Sequence, residues 1–145
     1  MIIAVYGLNL AAFALMARNA QGEDWLGMAM YVAALILELF VSDIRINTWM
    51  AGLAGVNLLL FLGLWYLAER YDRWWLFLGA VTQLATVATH ISPIFNGDHW
   101  VDSGTALRNI LYVLTSVIFF VGAWEVREVR RFAREARRHG TQMDL

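Results

Sequence analysis

The sequence predicts an all-α protein, a polytopic membrane helix bundle of five transmembrane helices with a C-terminal amphipathic basic helix. Three observations predict it. Apolar residues make up 60% of the chain and charged residues only 16%, against roughly 45–50% and about 25% in soluble domains. The apolar residues fall into five runs near the roughly 20 residues that cross a bilayer as helix. The eleven basic residues are all Arg and are spaced unevenly along the chain.

The first run, about residues 1–17, enters apolar sequence directly at Met1-Ile2-Ile3. It lacks the basic start of a signal peptide, so it reads as a retained span. The second runs from 25 to 41, the third from 48 to 68, the fourth from 74 to 95 and the fifth from 106 to 124. The linkers Arg18–Asp24, Ser42–Asn47, Glu69–Arg73 and Asn96–Thr105 carry the charges and turn formers. Such short linkers make successive helices antiparallel neighbours. Residues 1–126 form one five-helix domain, and 127–145 a cytoplasmic tail.

The arginines orient the chain. With the N-terminus outside, the inner regions hold Arg18, Arg70, Arg73 and six tail arginines, and the outer ones only Arg45 and Arg108. An excess of basic residues marks the cytoplasmic side, so the expected topology is N-out, C-in. Trp25, Trp65, Trp74, Trp75 and Trp124 then mark inner span ends, and Trp49 and Trp100 lie on the outer side. This is the pattern of an interfacial belt, where indole keeps its N–H wet and its ring in apolar surroundings.

The tail Glu125–Gly140 alternates Val126, Val129, Phe132, Ala133 and Ala136 with Arg127, Arg130, Arg131, Arg134, Arg137 and Arg138. Three- and four-residue spacing makes this an amphipathic basic helix. Glu128 with Arg131 and Glu135 with Arg138 are the expected i,i+3 pairs. Anionic lipid headgroups are the expected partner, at about 1 kcal/mol per Arg near the surface. A cytosolic protein is the second choice. A single tethered helix lacks a nucleic-acid reading motif, so no nucleic acid is expected.

Within the spans, polar side chains are costly and face protein or a cavity. Asn9, Asn57, Gln83 and Thr115 lie near the centres of spans one, three, four and five, which suggests a midplane polar layer. Glu38 and His90 both lie about 8 Å outward of centre by the rise per residue, and a contact of spans two and four would pair them. Together with Gln83, Asn57, Asn9 and Thr115 they are the candidate ligand, proton or ion-binding residues, with interhelical glue as the plainer role of the midplane groups. Gly27, Tyr31, Ala34, Glu38 and Ser42 form one helical stripe, and Gly79, Gln83, Thr86, His90 and Pro93 another. Span three has a side with Met50, Asn57, Phe61 and Leu64, and an opposite side of small residues, Ala51, Gly52, Gly55 and Gly63.

The stretch from Gly55 to His90 resembles a group of small five-span bacterial inner-membrane proteins, mostly alphaproteobacterial. The resemblance rests on Asp72-Arg73-Trp74-Trp75 and on Gln83 and His90 seven residues apart. Asn57 stands where that group carries an acidic residue, so a proton-carrying role does not transfer to it. The resemblance covers about a quarter of the chain. It implies a five-span protein of the bacterial inner membrane and no activity.

No P-loop, nucleophile elbow or HExxH pair is present. The absence of Cys excludes disulfide and thiolate-metal frameworks. One in-span His is too few for a bis-histidine haem. Asp98, His99 and Asp102 cluster in the outer loop, but a turn at Asn96-Gly97-Asp98 and a helix cap at Asp102 or Ser103 explain them more simply. No metal, cofactor or catalysis is therefore expected. The sequence-level expectation is a structural or accessory subunit in a homo-oligomer or larger membrane complex. The alternatives are a small oligomeric channel or transporter, and a binder of a lipid or quinone-like ligand.

Overall fold

The computed structural model describes residues 2–46, 50–96 and 101–143, with side chains described for 7–46, 50–91, 106–107 and 109–136. Trp49, Trp100, Asp98 and His99 lie outside the described residues, as do the side chains of Tyr6, Pro93, Asp102, Ser103, Arg108, Arg137 and Arg138.

The described residues are organised as five helices: α1 Ile2–Ala17, α2 Gly22–Val41, α3 Ala51–Tyr71, α4 Trp74–Asn96 and α5 Val101–Met143. Three stretches are long and apolar enough to cross a membrane: Gly22–Val41, Ala51–Tyr71 and Asn109–Ala136. α1, with 16 residues, is shorter than these. α4 has the length, with 23 residues, but Thr82, Gln83, Thr86, Thr89 and His90 dilute its apolar content.

Several boundaries depart from expectation. α5 starts at Val101, five residues earlier than expected, so Asp102 and Ser103 lie within the helix and do not cap it. α2 starts at Gly22, within the expected linker, because Asp24 turns back to accept the Gln21 N–H at 3.0 Å and closes the first turn. α3 runs to Tyr71 and ends where Asp72 adopts a left-handed backbone (φ 52°, ψ 48°), its N–H donating to Ala68 O. That geometry is tolerated by Asp better than by most residues. The basic tail continues the last span without a break, as its helical spacing led one to expect, since α5 is one helix of 43 residues. At 1.5 Å per residue it is about 64 Å long, twice a hydrocarbon core.

α3 packs between α2 and α4, while α5 packs between α4 and α1. The small-residue side of α3 is used inside the chain. Gly52 lies against Val41, and Gly63 against Met30, so both meet α2. α2 also reaches across the bundle, where Tyr31 meets Phe119 of α5 edge-on at 5.0 Å. The core gathers Met16, Met28, Tyr31, Leu64, Trp75, Leu76 and Phe119. Outward faces are apolar as well: Leu10, Leu39, Phe40, Leu59 and Ile110 are all strongly exposed.

Trp75 sits fully buried in the core at the end of the bundle where α4 begins. A Cβ on Gly27 would stand 2.6 Å from its ring, and one on Gly122 would stand 3.0 Å from it. Only glycine at these two points lets α2 and α5 close on the indole.

Candidate functional site

The polar contact around Glu38 is built by α2 and α3. Asn57 Nδ2 donates to Glu38 Oε1 at 3.0 Å and to Leu53 O at 2.8 Å. Glu38 thus finds its partner on α3, and the pairing with His90 that a contact of spans two and four would have allowed does not form. Equal depth was the basis of that pairing, but a helix face points in one direction only, and the Glu38 face is turned to Asn57. His90 is buried on α4, on the stripe shared with Gly79 and Gln83.

The midplane groups likewise resolve into separate local contacts. Asn9 Nδ2 donates to Tyr112 O at 3.4 Å, joining α1 to α5. Thr115 donates to Leu111 O within its own helix at 2.9 Å, and Ser116 to Tyr112 O at 3.4 Å. Thr82, Thr86 and Thr89 bond back to their own helix in the same way. Gln83 faces Tyr31. Both are buried, and neither the Tyr31 hydroxyl nor Gln83 Oε1 completes a hydrogen bond. Hydroxyls in apolar helices commonly satisfy themselves on the preceding turn, so Thr115 joins no interhelical layer.

Among the described residues, the densest polar network lies at the opposite end, in residues read from sequence as linker or belt. Asp24 is fully buried. Its Oδ1 accepts the Trp75 indole N–H at 3.0 Å, and its Oδ2 accepts the Gln21 N–H. Arg73 Nη2 donates to Glu23 Oε1 at 2.7 Å and to Gln21 Oε1 at 3.3 Å. Its Nε stands 3.9 Å from Asp24 Oδ1. Burial opposes the Arg73 charge, but the Glu23 hydrogen bond and the carboxylates of Asp24, Glu23 and Glu125 outweigh it and raise its pKa above the ordinary value.

Glu125 of α5 completes this end. Its two oxygens accept the backbone N–H groups of Trp74 and Trp75, at 3.2 and 3.1 Å. A carboxylate borrowed from another helix thereby caps α4, where free N–H groups and the helix dipole favour negative charge. Trp75 is therefore a core residue and no part of an interfacial belt. Its neighbour Trp74 is 70% exposed, because adjacent residues point about 100° apart on a helix.

Sequence reasoning missed this network, although one signal was present. The stripe Gly27, Tyr31, Ala34 and Glu38, carried back one turn, lands on Asp24.

Two grooves open at the same end. One, of about 280 Å³, is lined by Trp65, Trp74 and Phe77 with Glu69 and Asp72 among its walls; Trp65 and Phe77 stand 5.7 Å apart. The other, of about 270 Å³, is lined by Asn19, Arg127, Arg130, Arg131, Arg134 and Glu135. Arg130 is half-buried and donates to Ala20 O at 3.2 Å, tying α5 to the α1–α2 turn. Arg131 pairs with Glu135 at 3.1 Å. This i,i+4 pair stands in place of the expected Glu128–Arg131 contact.

No protein-family model, curated protein or solved structure matches this chain.

Proposed function

We propose that the chain is a five-span protein of the bacterial inner membrane, N-terminus outside and C-terminus in the cytoplasm. It acts without catalysis, as an accessory or assembly subunit of a homo-oligomer or larger membrane complex, through contacts of its helices. α1 and α4 cross beside the three longer apolar segments, shielded by the helices packed against them.

The observation that carries this reading is how the polar groups within the helices are spent. Asn9, Asn57 and Glu38 bond across helix pairs, and the Thr and Ser hydroxyls bond to their own helices. That is the use of polar groups expected in helix packing, whereas a permeation site needs polar groups turned to a shared pathway. The apolar outward faces of Leu39, Phe40 and Leu59 supply contact surface for lipid and neighbouring helices. The arginines of α5 hold its cytoplasmic end against anionic headgroups.

Extraction from native membranes in polymer nanodiscs, followed by native electrophoresis and mass spectrometry, tests the reading. The expected result is a particle well above the 16.5 kDa of one chain, of fixed stoichiometry in this chain or in this chain with others. A lone chain would overturn it. So would a selective solute flux in liposomes that Glu38→Gln abolishes without unfolding the protein.

A further inference from the structure

The arginine groove has more definition than a basic tail attracted to a charged surface. It is built from two parts of the chain, the α1–α2 turn and α5, and Arg130 fixes one part on the other through Ala20 O. Four guanidinium groups and one carboxylate line about 270 Å³. Arg131 occupies that carboxylate, Glu135. Arg127 and Arg134 are exposed and flank the groove one and two turns along the helix. The lining therefore keeps an excess of three positive charges, too many for a headgroup with a single phosphodiester.

Depth adds a second argument. Arg127 to Arg134 lie three to ten residues beyond Trp124, or about 5–15 Å along the helix. The headgroup layer begins where the hydrocarbon ends and is about 5–7 Å thick on each side. The Arg127 end of the groove thus starts within that layer, and the long arginine side chains farther along the helix reach back toward it. A planar guanidinium fork recognises phosphate oxygens in pairs.

From these observations we infer that the groove is a stoichiometric site for one acidic phospholipid carrying two phosphates. Arg127 and Arg134 each take one phosphate, Arg131 completes the field, and the Asn19 amide is placed to bond the polar link between them. Arg130 is a positioning residue that holds the α1–α2 turn in place. The inference rests on the membrane-spanning reading proposed above.

Native mass spectrometry of the full chain in mild detergent tests it. Three lipids with identical acyl chains are titrated: phosphatidylcholine, phosphatidylglycerol with one phosphate charge, and cardiolipin with two phosphates. A one-to-one cardiolipin adduct is expected at concentrations about tenfold or more below those needed for phosphatidylglycerol, given the worth of each basic contact at a membrane surface. Arg127→Ala with Arg134→Ala removes the preference, and Arg127→Lys with Arg134→Lys restores part of it. Equal adducts with the two acidic lipids would overturn the site, as would a preference that survives the double alanine change. Inorganic diphosphate displacing cardiolipin at matching concentration would assign the groove to a soluble anion and also overturn it. Should the double alanine variant unfold, the salt dependence of wild-type binding decides: affinity for cardiolipin falls steeply with ionic strength if the groove holds it, and stays flat if the acyl chains do. Carbonate-resistant flotation of the protein with liposomes is measured alongside. Loss of flotation refutes the spanning reading, whereas flotation without lipid preference refutes only the site.

Discussion

Replacing Asp24 by Ala is expected to destabilise the bundle by about 3 kcal/mol, the lower end of the cost of breaking a buried charged contact. The magnitude follows from what the carboxylate holds. It is fully buried, and its two oxygens accept the Trp75 indole N–H and the Gln21 N–H, both at 3.0 Å. An indole N–H left buried without an acceptor costs about 1–3 kcal/mol. Opening the first turn of α2 adds about 0.5–2 kcal/mol, as for other lost caps. Arg73 lies 3.9 Å away but keeps Glu23 at 2.7 Å, so no guanidinium is stranded and the total stays near the lower bound. The assay is reversible unfolding of the full chain in mixed micelles, followed by Trp fluorescence and circular dichroism. Trp75→Phe and the double variant complete a cycle, whose coupling is expected at about 1 kcal/mol or more, as for groups in direct contact. A loss of less than about 0.5 kcal/mol for Asp24→Ala, within the range of ordinary surface substitutions, would refute the reasoning. Strict additivity of the two single changes would refute the indole–carboxylate contact in particular.

Glu38→Gln is expected to be nearly silent on stability, because Gln Oε1 still accepts from Asn57. Asn57→Leu breaks the contact and costs about 0.6 kcal/mol, the average of such bonds in membrane helices, measured in the same unfolding assay. Glu38→Gln and His90→Gln add independently, and a coupling between them would show that the two meet after all. Glu125→Ala uncaps α4 and costs about 0.5–2 kcal/mol, with faster amide exchange confined to the first turn of that helix as its signature. Gly27→Leu drives a side chain into the Trp75 ring and costs about 1–3 kcal/mol through overpacking; a wild-type melting curve would place the indole elsewhere.

Helices were legible because burial in a bundle and in lipid imposes the same requirement on a long segment, an apolar run with few charges. The stripes were legible too. Gly27, Tyr31 and Ala34 on α2, and Gly79, Gln83 and His90 on α4, all face inward, since small and polar groups are kept from the outer surface. Partners were not legible. Glu38 and His90 share a depth, but pairing depends on how each helix is rotated about its own axis. That rotation is set by close packing elsewhere, at Gly27, Gly63 and Gly122. Trp74 and Trp75 show the same gap, since two identical neighbours at a span end differ only in the direction each points.

By itself, then, the sequence determined that the chain is all-helical, where its apolar segments run, and which residues on them avoid the outer surface. These are properties of one helix at a time, governed by hydropathy and period. Only the tertiary structure decided that Asp24 holds a buried indole, that Glu125 caps a helix fifty residues before it, and that the α5 arginines share a groove with the α1–α2 turn. Each of those contacts joins groups distant along the chain, and their geometry exists only once the helices have packed.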